Sequence, residues 1–175
     1  MYSAEVEDLS KSIFEQFLRV FDMSKIKNVH IFLPIKQKNE VSTWDFIKYF
    51  WNKGISVFVP KMVQNEIKTI QLKPDTSLKE NDWGILEPEN DFVEDIKFDI
   101  VITPLLYCDN QGNRVGYGKG FYDMFFSKID HNALKVGVGF FPPEALISDV
   151  SEQDIPLDYL VTPTEVLSFM SKSIK

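Results

Sequence analysis

The chain reads as an α/β protein, a three-layer α/β/α arrangement around a mostly parallel central sheet, with residues 1–175 forming one domain. Three observations predict this. Short apolar, β-branched runs recur at 29–33, 55–59, 96–104 and 136–140. An amphipathic helix lies between the first two, and strand–helix–strand order gives parallel strands. The 175 residues are 44% apolar and 14% aromatic, enough for one substantial core.

Taken in order, residues 3–21 carry helical spacing through Val6, Leu9, Ile13 and Phe17, with Phe14, Leu18 and Phe21 widening the stripe. Val29 to Leu33 is a strand ending at Pro34, followed by a polar, basic loop at 35–39. Ser42 is placed to cap a helix from Thr43 to Lys53, with Trp44, Ile47, Phe50 and Trp51 inward and Gly54 stopping it. Ile55 to Val59 is a strand that ends at Pro60-Lys61. Ile67 to Leu72 is a short strand, and 83–88 a turn and loop. Ile96 to Pro104 is a buried strand. A helix over Gly120 to Ile129 would turn Phe121, Met124, Phe125 and Ile129 inward, before strands at Val136 to Phe140 and, last, at Tyr159 to Thr162.

The net charge is −7, with clustered cations scarce, so nucleic acid and anionic membranes are not expected partners. One cysteine, Cys108, allows no internal disulfide. No signal-like or membrane-length apolar run is present, and a cytoplasmic monomer is expected. Two histidines and one cysteine make a Cys/His zinc site improbable.

The chemistry concentrates between Asp109 and Asp123, which holds four of the eight glycines together with Arg114 and Lys119. Gly116, Gly118 and Gly120 alternate, so backbone N–H groups can form an anion-binding concavity that leads into a helix N-terminus. The spacing is neither a Walker A loop nor a dinucleotide fingerprint. The bland reading is a tight turn with exposed cations. Ligands of open α/β sheets sit beyond the carboxyl ends of strands. Glu40, Lys61 and the glycine loop all fall at such ends and would share one cleft. Alone, Glu40 and Lys61 also read as ordinary loop residues, and Asp123 as a helix-dipole acid. Asp154 and Asp158 read as turn residues and Cys108 as a small packed side chain. Tyr107, Tyr117 and Tyr122 either stack on a ring or pack.

Residues 112–123, Gly-Asn-Arg-Val-Gly-Tyr-Gly-Lys-Gly-Phe-Tyr-Asp, closely resemble the G-x-R-L-G-x-G-x-G-Y-Y-D signature of 5-formyltetrahydrofolate cyclo-ligases, with Val115 and Phe121 as mild departures. Asn39 to Thr43, Val59-Pro60, Gly84 to Pro88, Val138 to Phe140 and Asp154 to Thr162 resemble further family segments in the same order, so the likeness covers roughly 10–165. The resemblance implies ATP-dependent conversion of 5-formyltetrahydrofolate to 5,10-methenyltetrahydrofolate, with ATP as co-substrate and Mg²⁺. It implies that Arg114, Val115, Gly116, Tyr117, Gly118, Lys119, Gly120, Phe121 and Tyr122 cradle ATP, with Arg114 and Lys119 catalytic. The folate would meet Leu33, Glu40, Lys61 and residues 117–121 (Tyr117, Gly118, Lys119, Gly120, Phe121), and Asp123 and Asp154 would hold the metal. Two departures stand out. The family's N-terminal Lys-x-x-x-Arg helix is not reproduced, since Lys11 and Arg19 are eight apart. Either an N-terminal segment is lacking or ATP binding is weakened, and a non-catalytic folate or nucleotide binder is the alternative. Phe141-Pro142-Pro143 stands where the family usually has Gln.

Overall fold

The computed structural model describes residues 3–82, 84–116 and 120–170. The helix α1 (Ser3–Val20) is followed by strand β1 (Asn28–Ile31), helix α2 (Trp44–Asn52) and strands β2 (Ser56–Val63) and β3 (Glu66–Leu72). A small hairpin, β4 (Leu78–Glu80) and β5 (Leu86–Pro88), precedes β6 (Ile100–Pro104). A second small hairpin, β7 (Tyr107–Cys108) and β8 (Arg114–Val115), leads to helix α3 (Phe121–Lys128). Strands β9 (Leu134–Val138), β10 (Tyr159–Val161) and β11 (Val166–Ser168) complete the order.

One seven-stranded sheet organises these elements in the order β11-β10-β9-β6-β1-β2-β3. The five inner strands run parallel, and each edge strand is antiparallel to its neighbour. Parallel strands are buried on both faces, which is why they are near-continuous apolar runs. On one face, Val29, Ile31, Val57, Ile100, Ile102 and Val136 join Ile13 and Phe17 of α1 and Phe46, Ile47 and Phe50 of α2 in the main core. On the other, Phe58 and Val101 pack with Phe98, just before β6, and with Phe125 and Phe126 of α3. The architecture is therefore the α/β/α sandwich that the strand–helix pattern predicts.

Local differences have local causes. Ser42 does not cap α2. The N-cap is Thr43, which makes no side-chain cap and instead donates its Oγ1 hydrogen to the Phe32 carbonyl at 2.7 Å, tying the helix start to the end of β1. The stop is as expected, with Gly54 at φ 73° just beyond the Lys53 C-cap. Phe46 is buried inside α2, whereas Trp44 and Trp51 are only partly covered.

Pro60 does not end β2. Its parallel pairing with β1 covers only Ser56–Phe58, while the antiparallel pairing with β3 continues to Val63. A proline is tolerated where one side of a strand has no partner. β6 starts four residues later than the apolar run. Asp99 instead accepts the Lys27 and Asn28 N–H groups through Oδ2, at 2.7 and 2.9 Å, and so buttresses the start of β1. In α3 the inward residues are Phe125 and Phe126, while Met124 is exposed. β11, a partner for β10, and both small hairpins carry no period long enough to be legible in sequence.

Candidate active site

Chain order reverses across the gap between β1 and β6. The connection from β1 leads to β2 on one side, and the chain later returns to place β6 on the other. The carboxyl ends flanking such a gap form the natural ligand crevice. A cavity of about 320 Å³ opens there. Phe32, Lys38 to Val41, residues 104–108 after β6 and residues 138–142 after β9 line it, with Glu144.

Glu40 sits half-buried in this cavity. The turn that carries it is made by the short 3-10 helix Lys36–Lys38 and by Asn39 in the left-handed region at φ 50°. Glu40 Oε2 accepts the Ile35 N–H at 2.7 Å, so the carboxylate braces its own loop. A half-buried carboxylate on a cavity wall suits a ligand with paired N–H donors.

The second cavity, about 300 Å³, adjoins the first at Pro104, which lines both. Arg114, Val115, Gly116, Gly120, Phe121, Tyr122, Asp123, Ile147, Asp149 and Asp154 complete its walls. The loop before it is built around Asp109, a fully buried carboxylate. Its oxygens accept the Gln111 and Asn113 N–H groups (2.9 and 3.0 Å), the Asn113 amide (3.1 Å) and the Ile147 N–H (3.1 Å). Burial works to raise the Asp109 pKa, but these hydrogen bonds outweigh it and hold the carboxyl below its ordinary range. Gly112, at φ 84°, lies against the Leu157 carbonyl and the Phe169 ring, where a Cβ would come within 2.8 and 2.9 Å.

Arg114 leaves β8 beneath α3. Its guanidinium lies 5.0 Å from the centre of the Phe126 ring and its Nη1 is 3.1 Å from Asp123 Oδ1, which also accepts the Ile155 N–H at 3.0 Å. The pair is largely shielded, with the two side chains 7% and 21% exposed. Gly120 takes φ 65° as the N-cap of α3, so the helix starts where the glycine spacing predicts, with Asp123 in its first turn. Burial pushes the Tyr122 hydroxyl up; the Glu40 charge adds to that and Arg114 opposes it. Tyr122 therefore stays protonated between the carboxylate of one cavity and the cation of the other.

Not every expected residue converges. Lys61 lies inside β2 rather than beyond it and lines a separate pocket with Lys79, Glu80 and Glu87. Leu33 is buried in the main core and does not line the first cavity, whereas its neighbour Phe32 does. Tyr117, Gly118 and Lys119 lie outside the described residues. Cys108 is packed, and burial with the Asp109 charge raises its thiol to about 12, so it is no nucleophile. Asp158 accepts the Lys135 N–H at 2.8 Å and holds the loop before β10. Asp154 lines the second cavity and accepts the Ser151 N–H at 3.0 Å. Lys11 and Arg19 line neither cavity.

The model of the 5-formyltetrahydrofolate cyclo-ligase family matches residues 1–163. The chain belongs to that family. A probable 5-formyltetrahydrofolate cyclo-ligase of Schizosaccharomyces pombe is 28% identical, with 93% of this chain and 87% of that protein covered. The 5-formyltetrahydrofolate cyclo-ligase of Escherichia coli is 32% identical over 73% of this chain and 74% of its own. The solution structure of Aquifex aeolicus 5,10-methenyltetrahydrofolate synthetase superposes with a TM-score of 0.75 at 28% identity, covering 100% of this chain and 89% of that one. This cyclo-ligase family member is an enzyme of that class.

In it, the first cavity offers the half-buried Glu40 carboxylate in a wall of mixed apolar and polar residues, and the second a largely shielded cation beside carboxylates. Asp149 lines the second cavity with Asp123 and Asp154, and it stands in a loop with no sequence signature. Among the described residues no three acids, histidines or cysteines form a preassembled metal cage. The hard oxygens of Asp123, Asp149 and Asp154 nonetheless suit Mg²⁺, which takes one or two carboxylates and keeps waters or phosphate oxygens. Among the described residues no helix is long and apolar enough to cross a membrane.

Proposed function

We propose that this protein, as a cytoplasmic single-domain monomer, converts 5-formyltetrahydrofolate and ATP to 5,10-methenyltetrahydrofolate, ADP and phosphate, with Mg²⁺. The observation that carries the reading is the meeting of the two cavities at Pro104, with Glu40 on one side and Arg114 on the other. A folate in the first cavity and a triphosphate in the second would face each other across that residue.

The chemistry follows from these placements. A formamide carbon is a poor electrophile. Attack of the formyl oxygen on the γ-phosphorus breaks its bond to the bridging oxygen, and ADP leaves. The formyl carbon, now iminium-like, carries a phosphate leaving group. The folate's own aniline nitrogen attacks it, the ring closes, phosphate departs and that nitrogen loses its proton. Catalysis is then mainly positioning and charge stabilisation.

Glu40 would hold the pterin through its N–H groups. Arg114 and Lys119 would offset charge on the moving phosphoryl group, with residues 115–122 around the nucleotide. Protonated Tyr122 would donate a hydrogen bond where the two substrates meet. Asp123 and Asp154, with Asp149, would hold Mg²⁺, which when bound neutralises phosphate charge.

Incubation with 5-formyltetrahydrofolate, ATP and Mg²⁺ should give the methenyl product by absorbance. A heavy-oxygen label in the formyl group should appear in the released phosphate. Product without that transfer would exclude the phosphorylated intermediate. Folate binding without any product would identify a non-catalytic binder.

A further inference from the structure

The mouth of the first cavity carries two large exposed apolar side chains beside the exposed polar residues Lys38, Asn39 and Glu144. Phe141 is 64% exposed and Leu106 54% exposed, and both line the cavity that holds Glu40. Single exposed apolar side chains are unremarkable on a protein surface. Two on one cavity, each just past the carboxyl end of adjacent strands, are a different matter. β6 and β9 are parallel neighbours, with Pro104 opposite Val138. Their onward segments therefore carry Leu106 and Phe141 to the same rim.

Both segments are pinned. The Leu106 N–H donates to the Val115 carbonyl at 2.9 Å, and the Gly139 N–H to Val161 at 3.1 Å. Beyond Phe141, the Tyr107 hydroxyl donates to the Ala145 carbonyl, and the Ile147 N–H donates to buried Asp109. Pro142 and Pro143 further limit the backbone after Phe141. The exposed rings and methyls are thus held outward by a fixed frame, a costly arrangement in water unless a ligand covers them.

We infer that Phe141 and Leu106 form a lip that grips the aryl ring of the folate, the p-aminobenzoyl group, and so select intact folates over bare pterins. This rests on the proposed function. With the pterin at half-buried Glu40, the next moiety toward solvent is a flat apolar ring, and it reaches the mouth where these two side chains stand.

The test measures binding by calorimetry, for 5-formyltetrahydrofolate and for a 5-formyltetrahydropterin lacking the aminobenzoyl-glutamate. Phe141→Ala should weaken folate binding about tenfold, the order expected for one aromatic contact. It should leave the pterin fragment and ATP unchanged. In turnover the loss should fall on KM for folate rather than on kcat. Phe141→Tyr should restore affinity, and Leu106→Ala should give a smaller loss of the same kind. Phe141 is exposed, so an unchanged unfolding midpoint is the control for folding. Folate affinity within twofold of wild type in Phe141→Ala, or an equal loss for the fragment, would overturn the lip. Failure of the wild-type protein to bind the folate at all would overturn the proposed function and the lip with it.

Discussion

His30 and Asp109 are both fully buried titratable residues, with opposite provision for charge. Asp109 has an N–H donor for each oxygen and is a structural anion. His30 has none: neither ring nitrogen finds a hydrogen-bond partner, and the ring packs 4.5 Å from Phe125 and 5.2 Å from Phe98. Burial alone lowers its pKa to about 3. The folded protein therefore refuses a proton that the unfolded chain accepts below about 6.5. Stability is complete above that pH and falls, by up to about 1.4 kcal/mol per pH unit, as pH drops toward 3. His30→Leu should flatten this limb in urea unfolding between pH 6 and 4; parallel curves for both proteins would refute it. The Arg114–Asp123 pair supports a second expectation. Arg114 holds Asp123 through Oδ1, and a triphosphate that draws Arg114 away would free both carboxylate oxygens for a metal. Mg²⁺ alone should bind weakly, and Mg²⁺ with ATP at least tenfold more tightly, by calorimetry. Equal affinity with and without nucleotide would place the metal elsewhere. None of these pairings was legible from residue type. Glu40 and the loop holding Arg114 and Asp123 stood out because they follow predicted strand ends and because their neighbours in sequence formed a motif.

The glycine loop is an element whose shape depends on distant segments. The Gly112 carbonyl accepts the Leu157 N–H at 2.8 Å, while the missing Cβ makes room for Leu157 and Phe169. Gly112→Ala combines a left-handed φ with contact against a backbone carbonyl, which cannot yield as a flexible side chain can. The substitution should cost about 2–3 kcal/mol in thermal unfolding and weaken nucleotide binding more than folate binding, because it moves the second cavity's wall. A cost below about 0.5 kcal/mol would show that the loop is not anchored there. Long periodic elements were readable: α1, α2, α3 and all five inner strands fall on the predicted runs. The two small hairpins and β11 were not, because two- and three-residue pairings leave no alternation to detect. Pro60 misled for a related reason. Its meaning depended on where β1 stops pairing, which is a tertiary fact.

For the molecule as a whole, both cavities lie beyond the carboxyl ends of the inner strands, where topology reverses, yet among the described residues their walls share only Pro104. Either ligand should therefore raise the unfolding midpoint without the other, and each should shift it with concentration as mass action requires. ATP that shifts the midpoint only after folate is bound would mean that the second cavity is not formed in the free protein. The sequence by itself determined the sandwich class, since alternating apolar runs and one amphipathic crossover permit few other arrangements. It also determined the family, through residues 112–123. Only the tertiary structure decided which polar residues meet. Glu40 and Arg114 come to one crevice because β1 and β6 are sheet neighbours, Lys61 goes elsewhere because β2 runs on past β1, and Leu106 and Phe141 share a rim because β6 and β9 pair in parallel. Such meetings depend on strand order and register, which no local run of residues encodes.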